Sequence, residues 1–455
     1  MRMAFGTSAY RRDASGLPEL QVVNAIAEAA PTANGAVILL SRPGLDAVAE
    51  LSSGPVLGLY RAEGVLGGDL VAVSGGRMYR DTADLGSVAG SGAVRFAGSA
   101  LELLVTRGAG IYRTTGSTAA LVSFPDGANV RAVAFLAGLF IAARADGHKF
   151  YWSSVLDGSS WDGADFASAE SSPDELRDII VVGDELCLLG DSTVEFWVPT
   201  GDGAIPFIRS QGRLYRKGVI STGCAAEVDN ALFWVAPDFI VYRGGQVPER
   251  VSDNGIEERI KQSATVSAFP LEWDGHKMFV VNTDSGSFAF DVSTRQWARF
   301  KSFGRDDWVI ASAAHVDGQP RLGSALSGKI YQFAGEDDDG GVREVYWNAV
   351  QPVDAPGVID SIELEANVGR THLLSGQGEA PVVEMRSSRD QGATFSGWRS
   401  APLGRQGEYR KRTEWRRCGM FDPPCAVFEF RVTDAVPLRI SGVIANAAKG
   451  GRARP

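Results

Sequence analysis

Residues 186–197 have the sequence "LCLLGDSTVEFW", and the order of residue types in this stretch decides the fold. A first apolar run is followed by a short turn of Gly, Asp and Ser, and a second apolar run then ends on an aromatic residue. Short apolar runs bounded by turn residues are typical of β-hairpins. Because the same order recurs along the chain, an internal repeat predicts the architecture.

Six further stretches repeat this pattern. They are "LVAVSGGRMYR" (70–80), "LELLVTRGAGIYR" (101–113), "LFIAARADGHKFYW" (139–152), "LFWVAPDFIVYR" (232–243), "MFVVNTDSGSFAF" (278–290) and "PRLGSALSGKIYQF" (320–333). Their terminal aromatic residues, with that of the first stretch, are Tyr79, Tyr112, Tyr151, Phe196, Tyr242, Phe288 and Tyr331. Three or four short strands in about 40 residues form one blade of a β-propeller. We therefore predict an all-β chain with a propeller of six or seven blades, whose aromatic series is buried between blades.

Composition and charge limit the function classes. Hydrophobic residues make up 44% of the 455 residues and charged residues 22%, which is enough apolar material for a large core. Glycine contributes 54 residues spread along the chain, as expected where tight turns are frequent. The formal net charge of −10 argues against a protein that binds nucleic acid over its whole surface.

Four cysteines are too few for a disulfide scaffold in a chain of 455 residues. We expect free thiols rather than a disulfide between Cys418 and Cys425. The N-terminus lacks the apolar core of a secretory signal, and the apolar runs are shorter than the ~20 residues that cross a bilayer. These features predict a soluble protein without a membrane segment, folded in a reducing cytoplasm.

The repeats and their flanks predict four regions. Residues 1–53 form an N-terminal arm with the first strands, residues 54–340 the propeller, residues 341–445 a β-sandwich-like C-terminal domain, and residues 446–455 a disordered tail. The acidic stretch "GEDDDGG" (335–341) is interpreted as a solvated boundary loop. One helix is expected over residues 252–262, with Ser252 or Asp253 as its N-cap.

The stretch "YWSSVLDGSSWDGADFASAESSPDE" (151–175) holds seven serines, six carboxylates and two tryptophans but no Lys or Arg. Its carboxylates, including Asp157, Asp162 and Glu170, could form an acid–nucleophile pair on a tryptophan platform for sugars. The repeat favours a different interpretation, a connector between blades in which Trp152 and Trp161 are packing anchors and the Asp and Ser residues satisfy turns. Its lack of positive charge predicts that any partner of this stretch is protein rather than DNA.

The stretch "SRDQGATF" (388–395) matches the Asp-box of sialidases, S-x-D-x-G-x-T-W, except that Phe395 replaces Trp. The motif is a turn between two strands. Asp390 is expected to bind local backbone, Gly392 to adopt a backbone conformation that disfavours other residues, and Phe395 to pack on a neighbouring strand. We interpret it as a structural hairpin.

A basic segment, "GWRSAPLGRQGEYRKRTEWRR" (397–417), stands out in this acidic chain. Its cations are Arg399, Arg405, Arg410, Lys411, Arg412, Arg416 and Arg417, interleaved with Trp398, Tyr409 and Trp415. Such a segment can be a nucleic-acid surface, a protein interface rich in Arg and aromatic residues, or an edge strand with one charged face. A protein interface or a solvated strand is favoured over DNA binding.

The sequence nominates no catalytic, cofactor-binding or metal-ligating residue. The stretch "GSALSGK" (323–329) has the spacing of a phosphate-binding loop, but Ile330 stands where Ser or Thr would hold Mg²⁺, and a strand follows instead of a helix. The four histidines are far apart in sequence, and two of them, His148 and His276, belong to "DGHK" turns of the repeat.

Several longer stretches carry a family resemblance. They are "VVNAIAE" (22–28), "LLSRPGL" (39–45), "WSSVLDGSSWDGADFASAESSPDEL" (152–176), "VVGDELCLLGDSTVEFW" (181–197), "GCAAEVDNALFWVAPDFIVYR" (223–243), "RSSRDQGATFSGWRSAPLGRQGEYRKRTEWRRCG" (386–419) and "VFEFRVTD" (427–434). In these stretches, over roughly residues 20–442, the chain resembles the tail hub proteins, or tail accessory factors, of short-tailed double-stranded DNA phages, which are packaged-DNA stabilisation proteins.

The resemblance implies a structural virion protein without enzymatic activity or cofactor. Such proteins form a ring, usually hexameric, beneath the portal and its adaptor ring, where they extend the DNA channel and help close it after packaging. The implied partners are further copies of the chain, portal and adaptor proteins, and needle, tail-fibre or tailspike proteins, with transient contact to genomic DNA. The implied location is the virion tail, after assembly in the host cytoplasm.

The alternative function class is a sialidase-like or carbohydrate-binding propeller that acts on host glycans. That class needs an arginine triad, a Tyr/Glu nucleophile pair and Asp-boxes on successive blades. This sequence has few arginines at matching turns and a single Asp-box. The structural role is therefore favoured.

Overall fold

A computed structural model describes residues 2–5, 9–10, 20–29, 37–169, 174–375 and 378–447. The N-terminal part contributes six strands. They are β1 (Ala4–Phe5), β2 (Ala9–Tyr10), β3 (Leu20–Val23), β4 (Ala25–Ala29), β5 (Val37–Ser41) and β6 (Leu45–Glu50). None of the helices in these ranges is long and apolar enough to span a bilayer.

Strands from residue 56 onward form four-stranded sheets in chain order. The first four sheets are β7–β10 (Val56–Tyr60, Val71–Ser74, Arg77–Arg80, Ala83–Ser87), β11–β14 (Arg95–Gly98, Leu103–Thr106, Ile111–Thr114, Ala119–Leu121), β15–β18 (Val130–Leu136, Leu139–Arg144, Lys149–Ser154, Asp157–Ser168) and β19–β22 (Leu176–Val182, Glu185–Gly190, Val194–Pro199, Phe207–Tyr215). Short 3₁₀ turns lie at Leu66–Gly68 and Pro125–Gly127.

Three more sheets continue the series. They are β23–β26 (Ala225–Val228, Ala231–Val235, Val241–Arg243, Glu249–Arg250), β27–β30 (Val266–Trp273, His276–Thr283, Gly286–Asp291, Gln296–Phe300) and β31–β33 (Ile310–Val316, Gln319–Ser324, Lys329–Phe333) completed by β6. The described residues therefore form a propeller of seven blades, and the prediction of an all-β fold with six or seven blades is confirmed.

The aromatic series lies where the repeat predicts it. Each of the seven aromatic residues sits on the third strand of its blade, and six of them are buried, while Tyr112 is half-buried. The first strands of neighbouring blades contact one another and surround the propeller axis. Pleated strands with both faces packed against other blades bury side chains on both sides, which explains the nearly unbroken apolar runs of the repeat.

The last blade is closed by a strand from the other end of the chain. Strand β6 pairs antiparallel with β33, with Ala49 opposite Ile330 and Leu45 opposite Phe333. The sequence assigned residues 1–53 to an arm before the propeller, so this pairing was not anticipated. It ties the first blade to the last, because β6 leads directly into β7.

Helix α1 (Asn254–Gln262) lies between blades five and six. Its N-cap is Asp253, whose carboxylate accepts hydrogen bonds from the amides of Gly255 and Ile256 at 2.8 and 2.9 Å. The predicted helix and cap are therefore confirmed. The four cysteines are free thiols, as expected, and burial raises the pKa of Cys187 to about 12.

The second unit of the fold is a β-sandwich built from both ends of the chain. Its C-terminal strands are β34 (Val345–Pro352), β35 (Gly357–Ala366), β36 (Val382–Ser388), β37 (Arg399–Pro402), β38 (Thr413–Phe421), β39 (Cys425–Val432) and β40 (Arg439–Ala447). One sheet of the described strands has the order β38-β35-β40-β5-β4, and the other runs β3-β34-β39-β36-β37. Trp347, Trp415 and Phe430 pack between them in the core.

One sheet continues from the propeller into the sandwich. Strand β30, the outermost strand of blade six, pairs parallel with β3, which in turn pairs antiparallel with β34. The strands described here thus form an eleven-stranded sheet that includes blade six and half of the sandwich. Backbone hydrogen bonds therefore join the two units, so they do not meet only through side chains.

A buried polar cluster holds the same junction. The side chain of Asn24 donates to the carbonyls of Lys301 and Glu344 at 3.0 and 2.8 Å, and its oxygen accepts from Arg42 at 3.0 Å. The guanidinium of Arg42 is fully buried and forms a bidentate pair with Asp338 at 2.8 and 2.7 Å. Every hydrogen-bonding group of this Asn side chain therefore has a partner.

The acidic boundary stretch is more than a solvated loop, which corrects the sequence interpretation. Asp338 pairs with buried Arg42, and Glu336 pairs with Arg343 at 2.6 Å. Arg343 also donates to the carbonyls of Arg42 and Val436, and burial lowers its pKa to about 10. These carboxylates stabilise the buried arginines, because burying an isolated charge costs free energy.

Two other boundaries of the sequence interpretation also differ. Residues 157–168 form β18, the outermost strand of blade three, so most of the stretch 151–175 is a strand pair and not a connector. Register shifts at Ser153 and Ser154 let a Ser- and Asp-rich segment pair as an edge strand. The expected tail begins at 446, but β40 extends to Ala447, and residues 448–455 lie outside the described residues.

Candidate interaction surfaces

The basic segment 397–417 does not form one continuous patch. Trp415 is buried in the sandwich core, and its indole nitrogen donates to the carbonyl of Arg399 at 2.7 Å. Arg399 on β37 donates in turn to the carbonyl of Arg416 on β38, and both strands are sheet edges. Of the remaining basic residues, Arg405, Arg410, Lys411 and Arg412 lie on the loop between the two strands, and Arg417 lies on β38.

Several cations of the segment have acidic partners. Arg412 makes a bidentate pair with Glu363 at 2.8 and 2.7 Å, Arg416 pairs with Glu414 at 3.0 Å, and Arg405 lies 3.5 Å from Glu379. Among the described residues, the side chains of Arg410, Lys411 and Arg417 have no hydrogen-bond or ion-pair partner. Pairs of this kind on an exposed strand reduce the charge that is available to a nucleic acid.

The Asp-box stretch forms the turn between β36 and β37. The carboxylate of Asp390 accepts hydrogen bonds from the Ser388 hydroxyl, the Thr394 amide and the Thr394 hydroxyl at 2.7, 2.8 and 2.6 Å. These hydrogen bonds lower the pKa of Asp390 to about 2. Gly392 has a φ of +99°, a backbone conformation that other residues rarely adopt.

Phe395 belongs to a row of stacked rings and guanidinium groups on the outer face of the sandwich. Arg386 lies 4.5 Å from the ring of Phe395 and 4.6 Å from that of Trp398, and Arg431 lies 4.3 Å from the ring of Trp398. Both arginines are also paired with carboxylates, Glu429 and Glu384. The row satisfies its own charges and stiffens this face.

The residues of the stretch 151–175 have structural contacts. Trp152 is buried with Phe150 and Phe207, and half-buried Trp161 packs edge-to-face on Phe124 with ring centroids 5.3 Å apart. Asp157 accepts from the amide and hydroxyl of Ser159 at 2.9 and 2.5 Å, which lowers its pKa. Glu170 lies outside the described residues.

The propeller axis contains a cavity of about 850 Å³ lined by first strands of the blades. Arg95 of blade two extends across it. Its guanidinium forms a bidentate pair with Asp178 of blade four and donates to the carbonyl of Ala225 in blade five at 3.1 Å. Although burial disfavours its charge, the Asp178 carboxylate holds the pKa of Arg95 above its ordinary value.

Asp178 is fully buried and also accepts from the Gly223 amide at 3.0 Å. At the same level, Gly223 lies so close to blade two that a Cβ atom added to it would be only 2.7 Å from the Cβ of Ala93. These contacts hold blades two, four and five together across the axis. The cavity is therefore not an open passage at this level.

In the part of the chain that the structure describes, no group of three His, Cys, Asp or Glu residues is arranged as a metal site. His276 is buried at the junction of the two units, with Nδ1 2.7 Å from Asp291 and Nε2 3.4 Å from Glu28. The hydrogen bond to Asp291 is the main cause that raises the pKa of His276. The "DGHK" turn that contains His276 thus contributes to the junction as well as to a hairpin.

Sequence reasoning missed the residues that join the units and cross the axis. The signals were present for the junction, because Asn24 interrupts "VVNAIA" and Arg42 follows "VILLS". A polar residue inside an apolar run is buried with a partner or lies at a turn. For Arg95 and Asp178, 83 residues apart, the sequence offers no comparable signal.

Two protein-family models match this chain. The model of Bacteriophage P22 Gp10, β-propeller, matches residues 3–336, and that of Bacteriophage P22 Gp10, β-sandwich, matches residues 342–448. The chain therefore belongs to the bacteriophage P22 Gp10 family. This confirms the resemblance drawn from the sequence motifs and the expected pairing of a propeller with a sandwich.

Individual relatives are more distant. The tail hub protein gp10 of Salmonella phage P22 is 24% identical over 265 residues, which are 52% of this chain and 56% of that protein. The match thus spans little more than half the length of the relative. Among solved structures, the β-propeller domain of Myceliophteria thermophila Cps50 (Swd1) is 12% identical, with 64% of this chain and 99% of that chain covered and a TM-score of 0.43. YCF48 from Cyanidioschyzon merolae is 10% identical, with 64% and 98% covered and a TM-score of 0.41.

Proposed function

We propose that this member of the P22 Gp10 family is a tail hub, a structural protein of a phage virion tail. In this role several copies, usually six, form a ring below the portal and adaptor proteins. The ring extends the DNA channel, helps to close it after packaging, and offers a platform for a needle, tail fibres or tailspikes. The proposal rests on the family and on a relative whose name is tail hub protein.

The observation that best supports it is the rigid junction between propeller and sandwich. The eleven-stranded sheet and the buried cluster of Asn24, Arg42 and Asp338 join the two units through backbone and side chains. A ring that holds pressurised DNA needs subunits that do not bend between domains. A propeller with short, protected edges fits that requirement.

The crossing of the propeller axis by Arg95 bears on the path of DNA. Because Arg95 binds Asp178 and Ala225 across the cavity, the propeller of one copy does not offer DNA a channel. DNA would pass between copies, through the centre of their ring. The net charge of −10, if it faces that lumen, would let DNA slide without binding.

The carbohydrate alternative has less support in the contacts. Trp152 is buried, and the carboxylates of Asp157 and Asp390 accept hydrogen bonds from their own turns. The Asp-box lies in the sandwich and not on a blade. We therefore propose a non-enzymatic role, without cofactor, in the virion and, during assembly, in the host cytoplasm.

A binding experiment tests the proposal. Purified chain is mixed with purified portal–adaptor particles and examined by mass photometry and cryo-EM. We expect ring density below the adaptor, with an acidic lumen. A chain that does not bind the particles but cleaves a fluorogenic sialoside would overturn the proposal, and a lumen lined by the Arg399–Arg417 segment would contradict the sliding mechanism.

A further inference from the structure

Two exposed surfaces remain without a role in the fold. The first, which we name the apolar rim, follows turns of blades two, three and four. It consists of Leu101, Val155, Leu156, Ile205 and Ile208, which are between 47% and 72% exposed. Large apolar side chains grouped on a surface mark contact sites more often than single ones do.

The turns of the apolar rim are held next to one another. The amide of Gly158, two residues after Leu156, donates to the carboxylate of Glu102, the neighbour of Leu101. The rings of Trp152 and Phe207 lie 6.4 Å apart, so the blade-three hairpin packs against the start of β22, two residues after Ile205. The rim therefore follows adjoining turns of three blades.

Charge around the apolar rim is mainly acidic. The carboxylates there are Asp157, Asp184 and Asp202, together with Glu102 and Glu185, which pair with Arg113 and Arg213. One further arginine, Arg209, lies beside Ile208. Glu102 is buried, and its pair with Arg113 and that of Glu185 with Arg213 are each neutral. Asp157, Asp184 and Asp202 therefore outnumber Arg209 and leave the rim acidic.

The second surface, which we name the basic loop patch, lies on the sandwich at the end that meets the propeller. It consists of Arg370, Leu373, Leu374, Arg405, Tyr409, Arg410 and Lys411. Its two loops are joined by the Gly369 amide and the Leu403 carbonyl at 2.9 Å and by stacking of Arg370 on Tyr409 at 5.0 Å. The apolar members Leu373, Leu374 and Tyr409 are 39%, 77% and 60% exposed.

The two surfaces match in chemistry. Both have an exposed apolar centre, and the four cations of the basic loop patch exceed its neighbouring carboxylates, Glu379 and Glu408. Arg and Tyr are enriched at protein interfaces, and opposite charge around an apolar centre directs two surfaces to each other. A duplex would use the cations but would leave Leu373 and Leu374 without a contact that lowers their free energy.

Their positions on the fold also suit contact between copies. The basic loop patch lies where the sandwich joins blades six and seven, whereas the apolar rim is centred on blade three, nearly half a turn away around seven blades. Contact between two different surfaces on opposite sides of a subunit is heterologous. Repeated contacts of that kind close into a ring when the rotation permits.

We propose that the basic loop patch of one copy docks on the apolar rim of the next copy. This inference rests on the proposed ring function and specifies its subunit interface. Lys411 and Arg410 face the rim carboxylates, and Leu374 and Tyr409 cover Val155 and Ile205. The contact buries apolar area at its centre and places the charges at its border.

Zero-length cross-linking tests the proposal on the wild-type chain. Equal amounts of ¹⁵N-labelled and unlabelled protein are assembled on portal–adaptor particles and treated with a carbodiimide, which joins a lysine to a touching carboxylate. We expect mixed-isotope peptides that link Lys411 to Asp157, Asp184 or Asp202. Assembled rings without these links, or with Lys411 linked to other carboxylates between copies, would overturn the interface.

A complementation experiment provides a second test. One variant carries Leu374→Asp and Lys411→Glu, and the other carries Val155→Asp and Ile205→Asp. Each variant alone should lose at least tenfold in ring formation. The first variant keeps an intact rim and the second keeps an intact patch. When the two are mixed, these surfaces should bind each other and give stable pairs. Val247→Asp, at an exposed position on blade five outside both surfaces, is the matched control and should assemble like wild type.

The outcomes separate this inference from the proposed function. Variants that assemble like wild type on the particles would refute the interface and leave the tail hub role in place. Wild-type chain that does not join the particles would contradict the tail hub role itself. If the Lys411→Glu variant assembles normally but loses salt-dependent binding to a fluorescent DNA duplex, the basic loop patch is a nucleic-acid surface and the proposal is wrong.

Discussion

The propeller and the sandwich differ in how far apart their paired strands lie in sequence. Blades one to six are each made from four consecutive strands. In the sandwich, Val22 pairs with Trp347 and Leu40 pairs with Arg439, so the partners are more than 300 residues apart. The comparison shows that one chain can combine a unit specified by local pattern with a unit specified by its two ends.

The N-terminal strands connect these two kinds of unit. Strands β3 to β5 complete the sandwich, and β6 closes blade seven within the next ten residues. Pairing strands that lie more than 300 residues apart closes a long loop in the chain. This costs more conformational entropy than forming a local hairpin. We therefore expect the propeller hairpins to form first and the N-terminal segment to fix both units late in folding. Four substitutions, each with a matched variant, test whether local and non-local contacts contribute differently to stability.

The largest effect is expected at the buried junction. Arg42→Ala removes the cation that pairs with Asp338 and one of the two donors to the Asn24 oxygen, so a largely buried carboxylate remains without its cation. Breaking a buried ion pair in this way costs about 3–5 kcal/mol. Urea unfolding followed by tryptophan fluorescence should show that loss, with separate transitions for the two units.

Arg61→Ala is the control for this variant. Arg61 pairs with the exposed Asp317 at 3.2 Å on the propeller surface, and such pairs contribute about 0–1 kcal/mol. If Arg42→Ala lowers the free energy of unfolding no more than Arg61→Ala, the junction does not couple the units. The contrast between local and non-local construction would then have no energetic consequence.

The next effect concerns closure of the propeller. Ala49 lies opposite Ile330, and since the Leu51 amide donates to Gly328 at 2.8 Å, the Ala49 amide faces the same strand. Ala49→Pro removes that donor and should open blade seven, with a loss of about 3 kcal/mol. Thermal unfolding by calorimetry measures it.

Ala120→Pro is the matched variant in a locally built blade. Ala120 lies opposite Arg113 on the outermost strand of blade two, and its amide faces that strand because the Val122 amide donates to Ile111 at 2.9 Å. The same hydrogen bond is lost, but the ring stays closed, so we expect a loss of about 1 kcal/mol. Equal losses in the two variants would show that closure by β6 adds no stability of its own.

The sequence predicted the elements that depend on residues close in sequence. It missed most of the contacts between residues that are far apart in sequence. The aromatic series, the helix with its cap and the Asp-box turn depend on residues close in sequence, where periodicity and turn chemistry are direct signals. The pairs of Arg42 with Asp338 and Arg95 with Asp178 depend on the finished topology. Trp415 shows the limit clearly, because its charged neighbours suggested an exposed segment although the strand alternation buries it.

A smaller effect is expected for a purely local element. Asp253→Ala removes the acceptor of the Gly255 and Ile256 amides at the start of α1, which costs about 1 kcal/mol. Asp253→Ser keeps a capping hydroxyl and should recover most of that loss. Hydrogen exchange of the α1 amides should rise in the Ala variant only. A change in exchange that extends to the sandwich would contradict the local character of this element.

The smallest effect is expected from pH at the contact of blade six with β4. The carboxylates of Asp291 and Glu28 and the hydroxyl of Ser293 face His276, and its pKa is raised in the folded state. Protonated His276 therefore favours folding, so its contribution is fully present below the unfolded pKa of about 6.5 and is lost as pH rises through the higher folded pKa.

The free energy of unfolding of wild type should exceed that of His276→Gln by more at pH 6 than at pH 9. His148→Gln, in the other "DGHK" turn, is the matched variant that removes a turn histidine away from this contact. A constant difference between wild type and His276→Gln at the two pH values would show that the histidine joins the units through packing and not through its charge.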